Sequence, residues 1–598
     1  MASADFTKVL VKDDRIANLT DSVSYAVVKG GQNITSASYT AQSATNSSHT
    51  YSVQVPSEQV IISREVMWSS TVTFKITGVP ANAEFLVNLG TTEAFAPFPL
   101  NQMIETMSST INNNTVSMNV KDVIAPLLHF HDTRELARFN GLTPTMRDTY
   151  LKYADASAAR NNPLGNYTST TDNDYLPRGS FKVESVSAQI AGDGGAVRTT
   201  YVTVKITEPL MSSPWLYANP QENNQGMYGI QNLSFQFNLD ANCRRVWRTS
   251  RTIPQLAVAV EAVNGGSGWA DSKLIFTYIS PHPSDLLPSR NVCPYYNLER
   301  FIYNQYDTLN FGTRVSLQSP TLQLNSIPDR IFVVARKRMT TQTYTDTDSF
   351  LAIEGISINF NNSSGIGSSY TQQDLFKMSI RNGSTQTWQE FSGYANGTMT
   401  GAGALNTIPL IGSVLCLQFG QDIQLSEDYL SQGSLGSYQL SLKVDVRNQN
   451  IEAGAGNINN FIPELMIITQ TSGVMVNEKG TCSTFLGLLT KSDVLEASTQ
   501  EPVSKSAVRR LVGGGFFDSI GSAFGKVAKG ISNVASTGVS GLQKGIGAIT
   551  KVPIVGDLVK VGIPLAKQAL ANSGPKGAMA AQGLTALGMG KLHNRIQY

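Results

Sequence analysis

The stretch that decides the fold is SPHPSDLLPSRNVCPYYN, residues 280–297, which contains four prolines among many turn-forming residues. Short segments rich in β-branched and aromatic residues precede it, and a second set of such segments follows it. Between most of these segments lie Gly, Pro, Asn, Asp and Ser. The stretch therefore predicts a boundary between two β domains of similar size.

Each set contains about eight segments with the alternation of apolar and polar residues that is typical of strands with one buried face. The clearest segments before the boundary are TVTFKI (71–76), TYVTVKI (200–206), LSFQFNL (233–239) and KLIFTYI (273–279), and those after it are RIFVVARK (330–337), FLAIEGISINF (350–360), YQLSLKVDV (438–446) and ELMIITQ (464–470). Helical patterns occur only between strands, at residues 121–141 and 372–380. Eight strands in two sheets form a jelly roll. We predict an all-β protein of two consecutive eight-stranded antiparallel jelly rolls with loop helices and a C-terminal amphipathic helical tail.

The pattern predicts the following organisation along the 598 residues. An N-terminal arm covers residues 1–55, the first jelly roll 56–282, an inter-roll linker 283–297, the second jelly roll 298–500, a cleavable linker 501–514, and a basic amphipathic tail 515–598.

The formal net charge of +2 conceals an asymmetry between body and tail. From Gly515 onward nine Lys or Arg residues face two Asp residues, so the tail carries 9 − 2 = +7 and the rest carries 2 − 7 = −5. A basic tail on a weakly acidic body indicates an anionic partner for the tail, either nucleic acid or lipid.

The four cysteines, Cys243, Cys293, Cys416 and Cys482, are far apart in the sequence, and we expect reduced, mostly buried thiols. The N-terminal sequence MASADFTKVLVKDDR lacks the apolar core of a secretory signal. No uncharged apolar run reaches the roughly 18 residues that span a bilayer.

The tail begins with an amphipathic pattern within Arg509–Val534. Its apolar stripe consists of Phe516, Phe517, Ile520, Phe524, Val527, Ile531 and Val534. Lys526 and Lys529 face the other way, as in helices that lie in a membrane interface. The stripe is equally compatible with packing against the rest of the protein, and the two interpretations do not exclude each other.

The sequence LVGGG precedes this stripe. A protease that binds an extended backbone in a narrow cleft needs small residues at the scissile bond and an apolar anchor upstream. Leu511 is that anchor, Gly513 and Gly514 are the small residues, and Gly515 follows the bond. A flexible glycine hinge is the alternative interpretation of the same residues.

No catalytic motif is present, since the chain lacks G-x-S-x-G, Walker A, H-E-x-x-H and EF-hand patterns. His129 and His131 lie two residues apart without Cys or acidic partners at a useful spacing for a metal ion. We therefore expect neither an enzyme nor a cofactor or metal site.

Several stretches resemble one known family. They are FAPFPLNQMIETMSSTINNNTVSMNVKDV (95–123), EPLMSSPWLY (208–217), YGIQNLSFQFNL (228–239), SPHPSDLLPSRNVCPYYNLERF (280–301), ISINFNNSSGIGS (356–368) and QLSEDYLSQGSLGSYQLSL (424–442). The chain resembles the double jelly-roll major capsid proteins of the adenovirus and tailless-phage lineage. It is most similar in layout to those of virophages, polinton-like viruses and adintoviruses.

The resemblance implies a homotrimer that forms a pseudo-hexagonal capsomer of an icosahedral shell, assembled in the host cytoplasm or nucleus. Its implied partners are neighbouring capsomers, penton and minor capsid proteins, and a viral cysteine protease similar to adenain. Such proteases prefer an aliphatic residue, any residue and two glycines before the bond, which places cleavage between Gly514 and Gly515. The basic tail is then expected to contact viral DNA or a membrane, although in adenoviruses the membrane-disrupting segment belongs to a separate protein.

Two alternatives remain open from the sequence. One is a capsid precursor of the single-jelly-roll type with a releasable membrane-lytic peptide. The other is a carbohydrate-binding β-sandwich adhesin, which requires a secretion route that the sequence does not offer.

Overall fold

The computed structural model describes residues 32–81, 84–89, 92–153, 182–192, 195–215, 226–240, 243–281, 287, 290–399, 405–425, 430–450 and 460–487. The predicted cleavage residues and the amphipathic stripe lie outside this part of the chain. The cleavage site and the amphipathic tail therefore stay predictions.

The first β domain is formed by strands β1 to β15. Their bounds are β1 Gln32–Thr40, β2 Ser43–Ala44, β3 Ser48–Gln54, β4 Ile61–Ile62, β5 Met67–Gly78, β6 Glu93–Phe95, β7 Ile104–Ile111, β8 Asn114–Met118, β9 Lys182–Val186, β10 Ile190–Ala191, β11 Arg198–Pro209, β12 Asn232–Leu239, β13 Trp247–Thr249, β14 Ala257–Val260 and β15 Trp269–Pro281.

Two antiparallel sheets face each other in this domain. One has the order β1-β15-β5-β11, with β4, β9, β10 and β14 attached to it, and the other has the order β2-β3-β12-β7-β8. Strand β12 shows why they pack face to face, because Leu233, Phe235, Phe237 and Leu239 are buried while the residues between them are exposed. Burial of this alternating apolar face drives the two sheets together.

The second β domain is formed by strands β16 to β27. Their bounds are β16 Asn291–Tyr303, β17 Arg314–Gln318, β18 Leu322–Ser326, β19 Arg330–Lys337, β20 Ala352–Phe360, β21 Ser363–Ile366, β22 Tyr394–Met399, β23 Leu405–Pro409, β24 Leu415–Gln418, β25 Leu435–Arg447, β26 Pro463–Glu478 and β27 Thr481–Leu486. One sheet has the order β16-β26-β19-β24 with β27 beside β26, and the other has β17-β25-β20-β21 with β18 beside β25.

The two domains share one topology. In each, the first strand lies beside the last long strand. The order β1-β15-β5-β11 of the first roll corresponds to β16-β26-β19-β24 of the second, and β3-β12-β7-β8 corresponds to β17-β25-β20-β21. This arrangement is the jelly roll. The prediction of two consecutive jelly rolls is therefore confirmed, and a chain with a single roll is excluded.

Five α-helices lie in the loops of the described part. Their bounds are α1 Pro99–Met103, α2 Val120–Leu127, α3 Thr133–Ala137, α4 Gln372–Arg381 and α5 Trp388–Ser392. Short 3₁₀ helices lie at Leu128–Phe130 and Met339–Thr341. Helix α4 confirms the helical prediction at 372–380. The helical segment predicted at 121–141 consists of α2, a 3₁₀ turn and α3, and α3 ends at Ala137 rather than at the predicted stop Gly141. None of the helices in the described residues is long and apolar enough to cross a membrane.

The buried residues form two clusters, but the boundary between the clusters does not coincide with the boundary between the rolls. The second roll has its own internal core, while the larger cluster fills the first roll and continues into the contact between rolls. Strand β19 divides between them, with Ile331 and Val333 in the second core and Phe332 and Val334 in the larger one. One sheet of the second roll is therefore buried on both faces.

Two domain boundaries differ from the sequence prediction. Strands β1, β2 and β3 lie within the predicted arm 1–55 and pair with β15 and β12 of the first roll. Strand β16 begins at Asn291, inside the predicted linker 283–297, and pairs with β26 along its whole length. Sequence patterning missed β1 because it is an edge strand whose residues are mostly exposed, so the alternation is weak.

The four cysteines are buried free thiols, as predicted. Burial raises the pKa of Cys416 and Cys482 to about 12, so both are protonated at neutral pH.

Candidate functional site

The contact between the two rolls contains several buried ion pairs. The first roll contributes α2, which directly follows β8, and the 3₁₀ turn after it. All eight residues of α2 are buried, including Lys121 and Asp122 in its first turn. A loop helix that buries its polar first turn needs partners for those charges.

Arg336 on β19 is the partner of Asp122. Its side chain is fully buried, and its Nη2 donates to Asp122 Oδ1 at 2.8 Å while its Nε donates to Glu464 Oε1 at 2.6 Å. Arg300 on β16 approaches the second oxygen of Asp122, with Nε at 2.9 Å from Oδ2. One carboxylate of the first roll is thus held between two arginines of the second.

The pKa values follow from these contacts. Burial by itself raises the pKa of Asp122, but the positive charges of Arg336 and Arg300 outweigh it and hold the pKa below its ordinary value. Burial lowers the pKa of Arg336, and Asp122 and Glu464 more than reverse that effect. Asp122 and Arg336 are therefore both charged at neutral pH.

A second set of ion pairs has the opposite polarity. Here the first roll supplies the arginines: Arg245 Nη2 lies 2.6 Å from Asp348 Oδ1 of the second roll. Arg248 Nη2 lies 3.2 Å from Asp148 Oδ2 and 3.6 Å from Asp348 Oδ1. These side chains are at most 2% exposed. Because each roll presents both signs of charge, only one relative position of the rolls pairs every group.

Apolar contacts surround these ion pairs. The ring of Phe130, in the 3₁₀ turn after α2, meets Phe332 of β19 edge to face at a centroid distance of 4.9 Å. His129 lies 5.9 Å from Phe350 in the same way. Burial lowers the pKa of His129 well below its ordinary value, so its ring is neutral in this contact. These contacts exclude water, which strengthens the neighbouring ion pairs.

Hydrogen bonds continue the contact at the end of the β7–β8 hairpin. Asn113 Oδ1 accepts from the backbone N–H of Cys482 at 2.7 Å, and Asn114 Nδ2 donates to Thr484 Oγ1 at 2.9 Å. On the other side, Ser213 Oγ donates to the carbonyl of Tyr296. The contact therefore spans the sheet from β27 to β16.

This arrangement holds the two domains in register. Its carboxylates are engaged by arginines, and no group of His, Cys, Asp and Glu in the described residues could hold a metal ion. The site is a rigid joint.

The sequence pattern predicts α2 and β19 as elements but does not predict the charged residues that join them. A signal was available: Arg336 and Glu464 lie in or beside the apolar runs IFVVA and LMII. Charges at such positions are almost always paired when buried. Their partners lie far away in the sequence, so the sequence alone does not predict which residues pair.

Comparison with known proteins agrees with this architecture. Residues 4–279 match the family model described as Sputnik virophage major capsid protein 1st domain, and residues 298–473 match that of the major capsid protein V20 C-terminal domain. The putative capsid protein V20 of Sputnik virophage is 26% identical over 529 residues, covering 87% of this chain and 86% of the relative.

Two solved structures are similar over nearly the same length. The protein in the cryo-EM structure of the Sputnik virophage is 25% identical, with a TM-score of 0.73, covering 86% of this chain and 100% of the other. The crystal structure of the mavirus major capsid protein has a TM-score of 0.66 at 16% identity, covering 84% of this chain and 100% of the other.

Proposed function

Because the chain belongs to the family of double jelly-roll major capsid proteins found in virophages, we propose that three copies form a capsomer of pseudo-hexagonal outline. The protein is a structural component of the virion shell and not an enzyme. Two rolls of equal topology per chain give six similar lobes per trimer, and six lobes tile a near-hexagonal lattice.

The observation that supports the trimer is the rigid joint between the rolls. Ion pairs such as Arg245–Asp348, at 2.6 Å and 2% exposure on both sides, fix the two lobes relative to each other. A lattice of repeated contacts requires such fixed lobes, because lobes that moved relative to each other would not present the same interface in every copy.

Electron microscopy of the full chain expressed alone tests this proposal. We expect triangular or hexagonal particles of three chains, with sedimentation velocity giving the mass of a trimer. Monomers that do not associate at any accessible concentration would contradict it.

We propose that maturation cuts the chain between Gly514 and Gly515. The sequence from Leu511 to Gly515 provides the aliphatic anchor and the glycines that an adenain-like protease prefers. The substitution Gly514→Val should block the cut, whereas Gly541→Val, at a glycine outside the motif, should not. Mass spectrometry of mature particles reports the outcome, and intact chain beyond Gly514 in wild-type particles would refute cleavage.

We propose that the basic tail then binds a membrane or the viral DNA. Its stripe from Phe516 to Val534 and its charge of 9 − 2 = +7 support an anionic partner. Phe524→Asp breaks the stripe, and Ser519→Asp adds the same charge off the stripe. If the partner is lipid, protease-treated protein should release dye from phosphatidylserine vesicles, and only Phe524→Asp should abolish the release. DNA binding without dye release would instead identify the genome as the partner.

Penton and minor capsid proteins complete the proposed set of partners. They would contact the outer sides of the capsomer at vertices and between trimers. Co-purification with capsomers from infected cells tests this, and shells built from this chain alone would argue against it.

A further inference from the structure

The two rolls have the same hairpin turn at equivalent positions. Asn112 joins β7 to β8, and Asn361 joins β20 to β21; their φ angles are 53° and 51°. The backbone N–H of Asn112 donates to Asn232 O on β12 at 2.7 Å, and that of Asn361 donates to Gln439 O on β25 at 2.9 Å. Each side-chain oxygen also accepts from the backbone of the same neighbouring strand. The hairpins and the helices that follow them are therefore structural equivalents.

These equivalent helices differ in what covers them. Every residue of α2 is buried, because α2 packs on the second roll. Helix α4 follows β21 as α2 follows β8, yet only Leu375 and Ser379 of its ten residues are buried. Nearby, Ile380 is 42% exposed and Trp388 is 37% exposed. In the described part of the chain, the helix surface of the second roll thus lacks the cover that its equivalent in the first roll has.

The equivalent sheets also differ in what covers them, but here the face of the second roll is covered and that of the first roll is open. In the second roll the outward face of β19, with Phe332, Val334 and Arg336, is buried beneath the first roll. The equivalent strand of the first roll is β5, since both occupy the third place in their sheets. Its outward residues Thr71, Thr73 and Lys75 are partly exposed, while the residues between them are buried. Within the described residues, this sheet face is open.

The contact between the rolls is thus heterologous, joining a helix surface of one roll to a sheet face of the other. Among the described residues, one helix surface and one sheet face, of the types that already bind each other, remain uncovered. Heterologous contacts of this kind continue from copy to copy until a ring closes. We propose that α4 and Trp388 of one copy pack against the outward face of β5 and β11 in the next copy.

This inference rests on the proposed trimer and specifies its interface. The occupant is a second copy, because the chain's own equivalent surfaces already form this contact once. The open face is rich in threonine, and Thr73 Oγ1 bonds Thr203 Oγ1 of β11 at 2.9 Å. A hydroxyl-lined surface remains solvated in the free subunit, whereas the apolar face of β19 is covered as the chain folds. The apolar face of β19 suits a contact made within one chain, and the hydroxyl-lined face of β5 suits a contact made between chains.

Full-length variants test the interface. Ile380→Glu places a charge on the helix surface, and Thr203→Arg places a long charged side chain on the sheet face. Phe311→Glu is the matched control, because Phe311 is 39% exposed and lies on neither surface. Circular dichroism should match wild type for all three, since the sites are at least partly exposed.

Sedimentation velocity should show that each interface variant raises the concentration for half-assembly at least tenfold, and that Phe311→Glu does not. As a second readout, copies with Ile380→Cys and differently tagged copies with Thr73→Cys are mixed and treated with a bifunctional maleimide. Cross-links between the two tags support the interface.

Two failures are distinguishable. Trimers that persist in both interface variants, without the mixed cross-link, overturn the inference while the trimer itself stands. Wild-type chain that never trimerises overturns the proposed function, and the inference with it.

Discussion

Asp122 and Arg336 pair across the two rolls at 2.8 Å, with 4% and 0% of their side chains exposed. They lie 214 positions apart in the chain. Arg336 also pairs with Glu464 of its own roll, so its removal leaves the buried Glu464 carboxylate without this cation and Asp122 with Arg300 alone. The joint between the rolls therefore depends on this arginine.

Replacement of Arg336 by Met should destabilise the protein by about 3–5 kcal/mol, because an unpaired buried charge is costly. The melting temperature of the full chain reports the loss. Arg138→Met is the control: Arg138 pairs with Glu65 at the same 2.8 Å, but the side chains are 52% and 43% exposed. Its loss should cost at most about 1 kcal/mol. Equal melting of the two variants would contradict the structural role of Arg336.

Gly412 should not tolerate a methyl group. A Cβ at this position would overlap the backbone carbonyl of Leu351, and the Gly412 amide donates to Phe350 O at 3.2 Å. We expect Gly412→Ala to cost about 2 kcal/mol or more, since the backbone must move. Gly266→Ala meets nothing within 4 Å and should melt like wild type. A stable Gly412→Ala variant would show that the two chain segments are not in contact.

The positive φ of Asn112 predicts the order of stability of its glycine and alanine variants. Asn112→Ala places a Cβ residue in the left-handed region, at about 1–2 kcal/mol, and also removes the bonds from the backbone of Gln231 and Asn232 to Oδ1. Asn112→Gly removes the bonds alone. Urea unfolding should therefore rank wild type above Gly and Gly above Ala. A glycine variant less stable than the alanine variant would contradict the assigned conformation.

Acidification should weaken the first roll through His49. Burial lowers the pKa of His49 to about 4, and its ring lies 4.4 Å from that of Trp269. In the unfolded chain His49 titrates near its ordinary pKa of 6.5. Between these two values the unfolded state binds a proton that the folded state does not. Stability is therefore fully present above pH 6.5 and falls as the pH drops toward 4, by roughly 3 kcal/mol from this residue.

His49→Gln tests this dependence. The variant should lose part of the difference in unfolding midpoint between pH 7 and pH 4.5, followed by tryptophan fluorescence, to which Trp68 and Trp269 beside His49 contribute. At pH 8, where histidine is neutral in both states, the variant reports only the lost packing and hydrogen bonds. An unchanged pH profile would exclude His49 as the titrating group.

Some features were predictable because their signal is local. The alternation in TVTFKI identifies a strand with one wet face, and Val72, Phe74 and Ile76 are fully buried as it predicts. The continuous apolar run IFVVA in β19 differs from that alternation, and β19 is buried on both faces. The edge strand β1 escaped prediction because Ile34 is 59% exposed and the strand buries few apolar residues.

The sequence by itself determined the strands, the two rolls and the position of the loop helices, because alternation and turn residues act over a few positions. Only the tertiary structure decided which roll covers which. Helices α2 and α4 follow equivalent strands, yet one is wholly buried and the other largely open. Likewise, the partners of Asp122 and Arg245 are set by how two folded rolls meet. The contact between the rolls and the ion pairs across it are properties of surfaces brought together over hundreds of residues, and no local pattern encodes them.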